Sequence, residues 1–187
     1  MKDLNGLYYK YFNEVVPSFV KGGKYKTPMA IPKITKVTVN MGLGGVKENK
    51  GEFEELVKQL TQITAQKPVI TKSRKSIASF NVREGMNVGA KVTLRGKRMY
   101  NFLEKIFNYV MPRTRDFRGL PLRGFDGRGN YTFGLEDQMV FLEIDPNKIK
   151  RRQGMQICIT TTAKTDEEAK ELLVNLGLPL EKEEGVK

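Results

Sequence analysis

The 187-residue chain carries 33 Lys and Arg against 21 Asp and Glu, contains no His and has a single Cys. Without His the usual catalytic triads cannot form, and one Cys provides neither an internal disulfide nor the usual zinc ligands. No apolar run reaches the roughly 20 residues of a membrane span, and the N-terminus lacks a hydrophobic signal core, so we expect a cytoplasmic protein without metal, cofactor or membrane contact.

The positive charge is concentrated in the middle of the chain. Residues 66–123 hold 14 basic and 3 acidic side chains, a net charge of +11, whereas residues 124–187 carry a net charge of −3. A basic surface that only aids solubility is the simpler alternative, but such surfaces normally mix both signs. A field of one sign over one region therefore predicts a polyanionic partner.

The first half of the chain has hydrophobic patterns of both helical and strand period. Its breaks coincide with Gly and Pro. In chain order we expect a helix over 3–20 with Pro17 near its end, and then a connector to residue 32 that Pro28 and Pro32 keep extended. A strand over 33–41 follows, with a turn over 42–45 in which glycine takes a positive φ. The remaining elements are a helix over 51–64, a short strand over 68–71, a long polar loop over 72–88 and a strand over 89–95.

The second half continues the alternation of helices and strands. We expect a helix over 97–110 ended by Pro112, a Gly- and Arg-rich loop over 113–130, strands near 131–135, 139–144 and 155–162, and a last helix that begins at Asp166 and ends at Gly177 and Pro179. This order predicts a single α+β domain over residues 1–180, with a mostly antiparallel sheet, helices on one face and an open polar face, followed by a charged tail over 181–187.

The open face is predicted from the alternation within two strands. Lys91, Thr93 and Arg95 share one side of their strand, and Thr38 and Asn40 alternate with apolar neighbours in another. Such a face can serve as an RNA platform. It lacks the aromatic residues of an RNA-recognition motif, so we expect recognition of the shape and backbone of folded RNA.

Two basic loops are further candidates. In residues 72–88, Lys and Arg alternate with Ser and Thr, which suits phosphate oxygens, although a mobile loop without a partner is the alternative. In residues 113–130, Arg, Gly and aromatic residues interleave. Phe117 and Phe125 either stack on bases or pack inward, and Tyr131 and Phe133 are equally compatible with core strand positions.

An enzyme and a general nucleic-acid chaperone are the competing hypotheses. The glycine turn at 42–45 lies where a nucleotide-binding loop would, but Lys47 occupies the third glycine position of that fingerprint and no Gly-Lys-Ser or Gly-Lys-Thr follows. An enzyme that uses Lys or Asp stays open on these grounds. A chaperone that binds by charge alone would not distinguish DNA from RNA, and the concentration of positive charge is compatible with it too.

Eight segments, in order along the chain, resemble the bacterial form of the fifth protein of the large ribosomal subunit, a family that binds 5S rRNA. Two positions depart from its pattern: Ala65 stands where the family usually has Gly, and Leu142 where it usually has Pro. The matching segments are Val39–Gly44, Ile63–Pro68, Lys72–Ala78, Arg83–Met86, Val92–Gly96, Pro112–Arg113 with Arg115–Gly119, Phe125–Tyr131 and Thr161–Lys164.

The resemblance implies a non-catalytic ribosomal protein of the central protuberance. Its expected partners are 5S rRNA, large-subunit rRNA, P-site tRNA, a small-subunit head protein and other proteins of the central protuberance. By position, the resemblance implies rRNA contacts at Asn40, Gln66, Thr93 and Arg95, with Lys67 and Arg98 beside them. It also implies a tRNA-proximal loop with Lys72, Arg74, Lys75, Ser76 and Arg83. A further RNA or bridge contact is implied for Arg113, Arg115, Arg118 and Arg128.

Overall fold

The computed structural model of the protein describes residues 6–25, 27–115 and 117–181. The start of the predicted first helix, Asp116 in the Arg-rich loop and residues 182–187 of the predicted tail lie outside the described residues. The described chain divides into two compact units: residues 6–37, 94–133 and 158–181 form unit one, and residues 38–93 and 134–157 form unit two. The single domain over 1–180 stays a prediction.

Five strands form one antiparallel sheet, which confirms the α+β class. The strand order is β2-β3-β1-β5-β4. The strands are β1 (Ile34–Gly42), β2 (Val69–Lys72), β3 (Asn87–Leu94), β4 (Tyr131–Leu135) and β5 (Met155–Thr161).

Within the residues that the structure describes, four longer helices accompany the strands. In unit one, α1 packs against α3 and α4. Helix α1 runs through Leu7–Lys10, a π-helical turn over Tyr11–Val15, and Val16–Lys21; α2 is Lys50–Thr64; α3 runs through Gly96–Lys105, a π-helical turn over Ile106–Val110, and Met111–Arg113; and α4 is Asp166–Leu176.

The apolar periodicity of the helices is confirmed by burial. Each of the predicted helices α2, α3 and α4 buries one apolar stripe almost wholly, and α4 ends at Gly177 with φ of 107° as expected. Helix α1 continues to Lys21, past Pro17, because the proline is placed at the second position of the α-helical segment that follows the π-turn. The connector after it is not wholly extended, since Pro28–Ala30 forms a 3-10 turn.

The predicted strand over 139–144 is wrong. Residues Gln138–Val140 form a 3-10 helix, and the Asp137 carboxylate accepts a hydrogen bond of 2.9 Å from the Met139 N–H at its start. Gln138, Phe141 and Ile144 are buried, a spacing of three that does not fit a strand. The side-chain cap and the buried glutamine outweigh the β-branched and aromatic composition of the segment.

The glycine turn after β1 does not use positive φ, contrary to the prediction. Glycines with positive φ in the described chain lie elsewhere, and residues Gly44–Val46 form a 3-10 turn. Gly45 lies against a side chain instead: a Cβ there would lie 2.7 Å from Nη2 of Arg151, a flexible side chain that can shift, and the Nη1 of Arg151 donates to the Gly45 carbonyl at 3.2 Å. The turn is therefore a contact point of segment 134–157 within unit two.

Candidate nucleic-acid interface

The polar side of β1 and β3 in unit two has the predicted alternation. Val39 and Met41 are fully buried, whereas Asn40 between them is half-buried, and Thr93 is half-buried between the buried Val92 and Leu94. Asn40 and Thr93 thus present polar groups on the side of the strands that is not buried in the core.

Gln66 is attached to β3 by a hydrogen bond. Its Nε2 donates to the Thr93 carbonyl oxygen at 3.2 Å. The preceding Ala65 ends α2 in the left-handed region, at φ of 50°, which turns the chain toward β2. The structure therefore brings Gln66 and Thr93 together, and Lys67 follows as an exposed side chain.

Arg95 and Arg98 lie in unit one, at the start of α3. Strand β3 ends at Leu94, one residue before the predicted end, so Arg95 is the residue that precedes the helix. Its backbone remains extended, at φ of −142° and ψ of 164°, and its side chain is exposed. Arg98 is exposed in the first turn of α3.

The segment between β2 and β3, residues 73–86, is a folded finger in unit two. The Ser73 N–H donates to the Met86 carbonyl at 2.8 Å, and the Gly85 N–H donates to the Ser73 carbonyl at 3.0 Å. Ile77 and Val82 form a β-bridge around a 3-10 turn at Ala78–Phe80. The prediction of a loop without secondary structure is therefore wrong in detail, because the strands on either side pair as a hairpin and extend order into it.

The finger carries its charge on the outside. Its Arg74, Lys75, Ser76 and Arg83 are all exposed, as is Lys72 at the end of β2. The Ser76 hydroxyl oxygen accepts a hydrogen bond of 3.0 Å from the Glu84 N–H, which fixes its position relative to Arg83. Two apolar side chains, Ile77 and Phe80, are also exposed, by 46% and 69%, and sequence reasoning overlooked them.

The aromatic residues in and directly after the Arg-rich segment are buried or half-buried. Tyr131 and Phe133 are buried, and burial raises the pKa of Tyr131 to about 12. The Tyr131 hydroxyl donates to the Pro121 carbonyl at 2.9 Å. Phe125 is half-buried with its ring centroid 4.6 Å from that of Tyr131, and Phe117 is half-buried. Tyr131 and Phe133 are thus core residues, and base stacking is left to the exposed parts of the two phenylalanines.

All eleven Lys and Arg residues of the predicted sites are exposed. Ten of them, all except Arg115, have no carboxylate at ion-pair distance among the described residues. Unpaired cations of this number are available to neutralise phosphates. In the Arg-rich segment these are Arg113, at the end of α3, with Arg118 and Arg128, whereas Arg115 has a partner.

Sequence reasoning missed Asp126 and Asp166, which bind the backbone of the loop around Arg128. Asp166 accepts hydrogen bonds from the N–H groups of Gly127 and Gly129, and Asp126 accepts those of Arg128 and Asn130. Of these two roles, only that of Asp126 could be predicted from the neighbouring sequence, since an aspartate before a Gly-rich turn commonly accepts hydrogen bonds from the backbone that follows it.

Within residues 6–25, 27–115 and 117–181, no helix has both the length and the apolar character required to cross a bilayer. The same ranges contain no group of His, Cys, Asp or Glu side chains arranged to hold a metal ion.

Comparison with known proteins decides the family. The model of the family described as Ribosomal protein L5 matches residues 27–83, and the model of the C-terminus of the same ribosomal protein family matches residues 87–180. The chain belongs to the ribosomal protein L5 family. This confirms the predicted family and the prediction that the protein is a non-catalytic, structural ribosomal component.

Curated relatives cover nearly the whole chain. The large ribosomal subunit protein uL5 of Lactobacillus johnsonii is 54% identical over 178 residues, which are 95% of this chain and 99% of that protein. The protein of the same name from Ruminiclostridium cellulolyticum is 53% identical over 91% of this chain and 94% of its own length. That from Macrococcus caseolyticus is 51% identical over 92% and 97%.

Proposed function

We propose that this protein is a structural constituent of the large ribosomal subunit that binds 5S rRNA and links it to large-subunit rRNA in the central protuberance. Family membership and the names of the relatives support the subunit. The observation that carries RNA binding is the set of ten exposed basic side chains without a carboxylate partner among the described residues.

The 5S rRNA contacts are assigned to Asn40, Gln66, Thr93 and Arg95, with Lys67 and Arg98 as neighbouring phosphate contacts. Half-buried amides and hydroxyls have restricted motion, so Asn40 and Thr93 lose little conformational entropy when they bind RNA. The Gln66 amide still has one N–H and a carbonyl oxygen for RNA after its bond to Thr93. Arg95 adds a planar guanidinium that suits a phosphate.

A binding titration tests this assignment. Purified protein is titrated with 5S rRNA, with random-sequence RNA of the same length and with a DNA duplex, all at one salt concentration. The proposal predicts a clear preference for 5S rRNA. Equal affinity for all three polyanions would identify a general chaperone that binds by charge and would contradict the proposal.

The finger is assigned to P-site tRNA. Its exposed Arg74, Lys75 and Arg83, with Lys72 at the end of β2, suit the tRNA backbone, and its hydrogen-bonded base fixes the direction in which they extend. In ribosomes reconstituted with Lys75→Ala and Arg83→Ala together, tRNA should dissociate from the P site faster than from wild-type ribosomes. An unchanged dissociation rate would remove the finger from the tRNA site.

The segment with Arg113, Arg115, Arg118 and Arg128 is assigned to large-subunit rRNA or to a bridge with a small-subunit head protein. Sedimentation of reconstituted subunits separates the two. A bridge contact predicts that Arg113→Ala and Arg118→Ala reduce subunit association at low Mg²⁺, whereas an rRNA contact predicts reduced incorporation of the protein into the large subunit. A variant normal in both assays would contradict the assignment.

A further inference from the structure

The loop of residues 126–130 in unit one is exposed at its apex, yet all of its backbone N–H groups are hydrogen-bonded. Each of its five backbone N–H groups donates to a protein oxygen. The bonds run from Asp126 N to Asn130 O at 3.2 Å, from Gly127 N to Asp166 Oδ2 at 2.9 Å, from Arg128 N to Asp126 Oδ1 at 2.9 Å, from Gly129 N to Asp166 Oδ1 at 2.8 Å and from Asn130 N to Asp126 Oδ1 at 3.0 Å.

Thr161, at the end of β5, adds a second attachment. Its hydroxyl donates to the Gly129 carbonyl at 2.6 Å, and its N–H donates to the Asn130 side-chain oxygen at 3.2 Å. The Asn130 amide in turn donates to Asp126 Oδ2 at 2.7 Å. A surface loop can leave its N–H groups to water, so complete pairing inside the protein indicates one fixed conformation.

The glycines on either side of Arg128 are required by this conformation. Gly127 and Gly129 have φ of +79° and +76°, and a Cβ on Gly129 would lie 2.7 Å from the Ala163 carbonyl oxygen. The loop therefore lies directly on the turn before α4, with Arg128 between two residues whose backbone geometry disfavours any side chain.

The Arg128 side chain is exposed and has no carboxylate partner in the described chain. The loop thus presents a cation that the protein itself leaves unpaired. Both acidic side chains beside it direct their oxygens toward backbone N–H groups, so part of their negative charge is compensated. A guanidinium on a fixed loop suits a phosphate, which it can bind through two parallel hydrogen bonds.

We propose that Asp126 and Asp166 are positioning residues for RNA binding, which hold the 126–130 loop so that the Arg128 guanidinium is presented to a backbone phosphate. The inference rests on the proposed function, since the phosphate belongs to the bound RNA. Holding the loop in advance lowers the entropy lost on binding. Two acidic residues in a net negative part of the chain thereby strengthen the binding of a polyanion.

Whether RNA affinity rises or falls in the Asp166→Asn variant distinguishes a positioning role from a simple charge effect. Asp166→Asn removes a negative charge, which by Coulomb attraction alone would tighten RNA binding. Positioning predicts the opposite, a loss of about threefold to tenfold, because the loop must be ordered at the moment of binding. Glu167→Gln is the matched control: it removes the same charge one residue away, from an exposed side chain with no bond to the loop, and should bind RNA at least as tightly as the wild type.

A double-mutant cycle tests whether Asp166 acts through Arg128. Affinity and its salt dependence are measured for large-subunit rRNA, to which the Arg128 segment is assigned, and for a random-sequence RNA duplex, because a phosphate contact does not depend on sequence. Arg128→Gln should reduce the log–log salt slope by about 0.7–0.9 on each RNA. Asp166→Asn should then cause no further loss in the Arg128→Gln background. An equal loss in both backgrounds, wild-type affinity of Asp166→Asn, or an unchanged slope in Arg128→Gln would overturn the inference.

Two additions keep the result interpretable. Amide hydrogen exchange of Gly127 and Gly129 in the free wild-type protein should be slow, and exchange as fast as in an unstructured peptide would also overturn the inference. If Asp166→Asn unfolds, Asp126→Asn takes its place in the cycle. A wild-type protein that bound both RNAs equally would refute specific binding of large-subunit rRNA, whereas the cycle on the duplex would still decide the role of the loop.

Discussion

Gln138 offers the sharpest test of the structure where sequence reasoning failed. Its side chain is fully buried, its Oε1 accepts a hydrogen bond of 2.5 Å from the Gln153 N–H, and its Nε2 donates to the Arg151 carbonyl at 2.7 Å. Gln59, also buried, lies 3.5 Å away at its Oε1. The substitution Gln138→Leu keeps the volume of the side chain and removes all three interactions.

The expected loss of unfolding free energy in Gln138→Leu follows from the polar groups that the substitution leaves unpaired. Each buried donor or acceptor that loses its partner costs about 1–3 kcal/mol, and two backbone groups lose theirs. Gln153 and Arg151 are not fully buried, so water compensates part of the loss. We expect the free energy of unfolding to fall by about 2–4 kcal/mol. At about 2–4 °C per kcal/mol for a chain of this length, the melting temperature falls by roughly 5–15 °C.

Urea denaturation and thermal melts measure this effect. The matched control is Gln156→Leu, an exposed glutamine of β5, which should change the unfolding free energy by less than about 0.5 kcal/mol. If Gln138→Leu were as stable as the control, the hydrogen bonds of Gln138 would not be what stabilises this segment.

Three further predictions concern the turn before β2, the rRNA site and the Arg128 loop. Ala65→Gly should raise the unfolding free energy by about 0.5–1 kcal/mol, because glycine removes the cost of φ at 50°; a loss of stability in denaturation would contradict this. Arg95→Ala should weaken 5S rRNA binding by about 1–3 kcal/mol in a filter-binding titration, and wild-type affinity would exclude Arg95 from the site. The hydrogen bond from the Asn130 side chain lowers the pKa of the Asp126 carboxyl in the folded protein. The ionised Asp126 carboxylate therefore stabilises the fold at pH values above the ordinary pKa of aspartate, and this stabilisation is lost as the pH falls through the lowered pKa of the folded state. The stability difference between wild type and Asp126→Asn should therefore shrink on acidification from about pH 5, and a constant difference would refute the assignment.

Local patterns were sufficient for most of the fold. The alternation in β1 and β3 and the apolar stripes of α2, α3 and α4 were predicted correctly because burial of one face repeats within a few residues. The failure at 139–144 has a different origin. There, bonds between Gln138 and residues 13 to 15 positions later determine the conformation, and no local pattern reports them.

The candidate site was predictable to a similar extent. Exposure of the cationic side chains follows from their chemistry, and the predicted set is exposed throughout. The bonds from the Arg128 loop to Asp166 were not predictable, because Asp166 lies 37 residues from Gly129 along the chain. Likewise, Phe125 could be placed against Tyr131 only after the position of β4 was known.

The salt dependence of 5S rRNA binding tests most directly whether the exposed cations hold this RNA. The wild type is compared with a variant that carries Lys67→Ala, Arg95→Ala and Arg98→Ala. If each side chain neutralises one phosphate, the log–log slope of the variant is shallower by about 2–3. A wild-type slope in the triple variant, with folding intact, would contradict the assignment of these residues to the RNA interface.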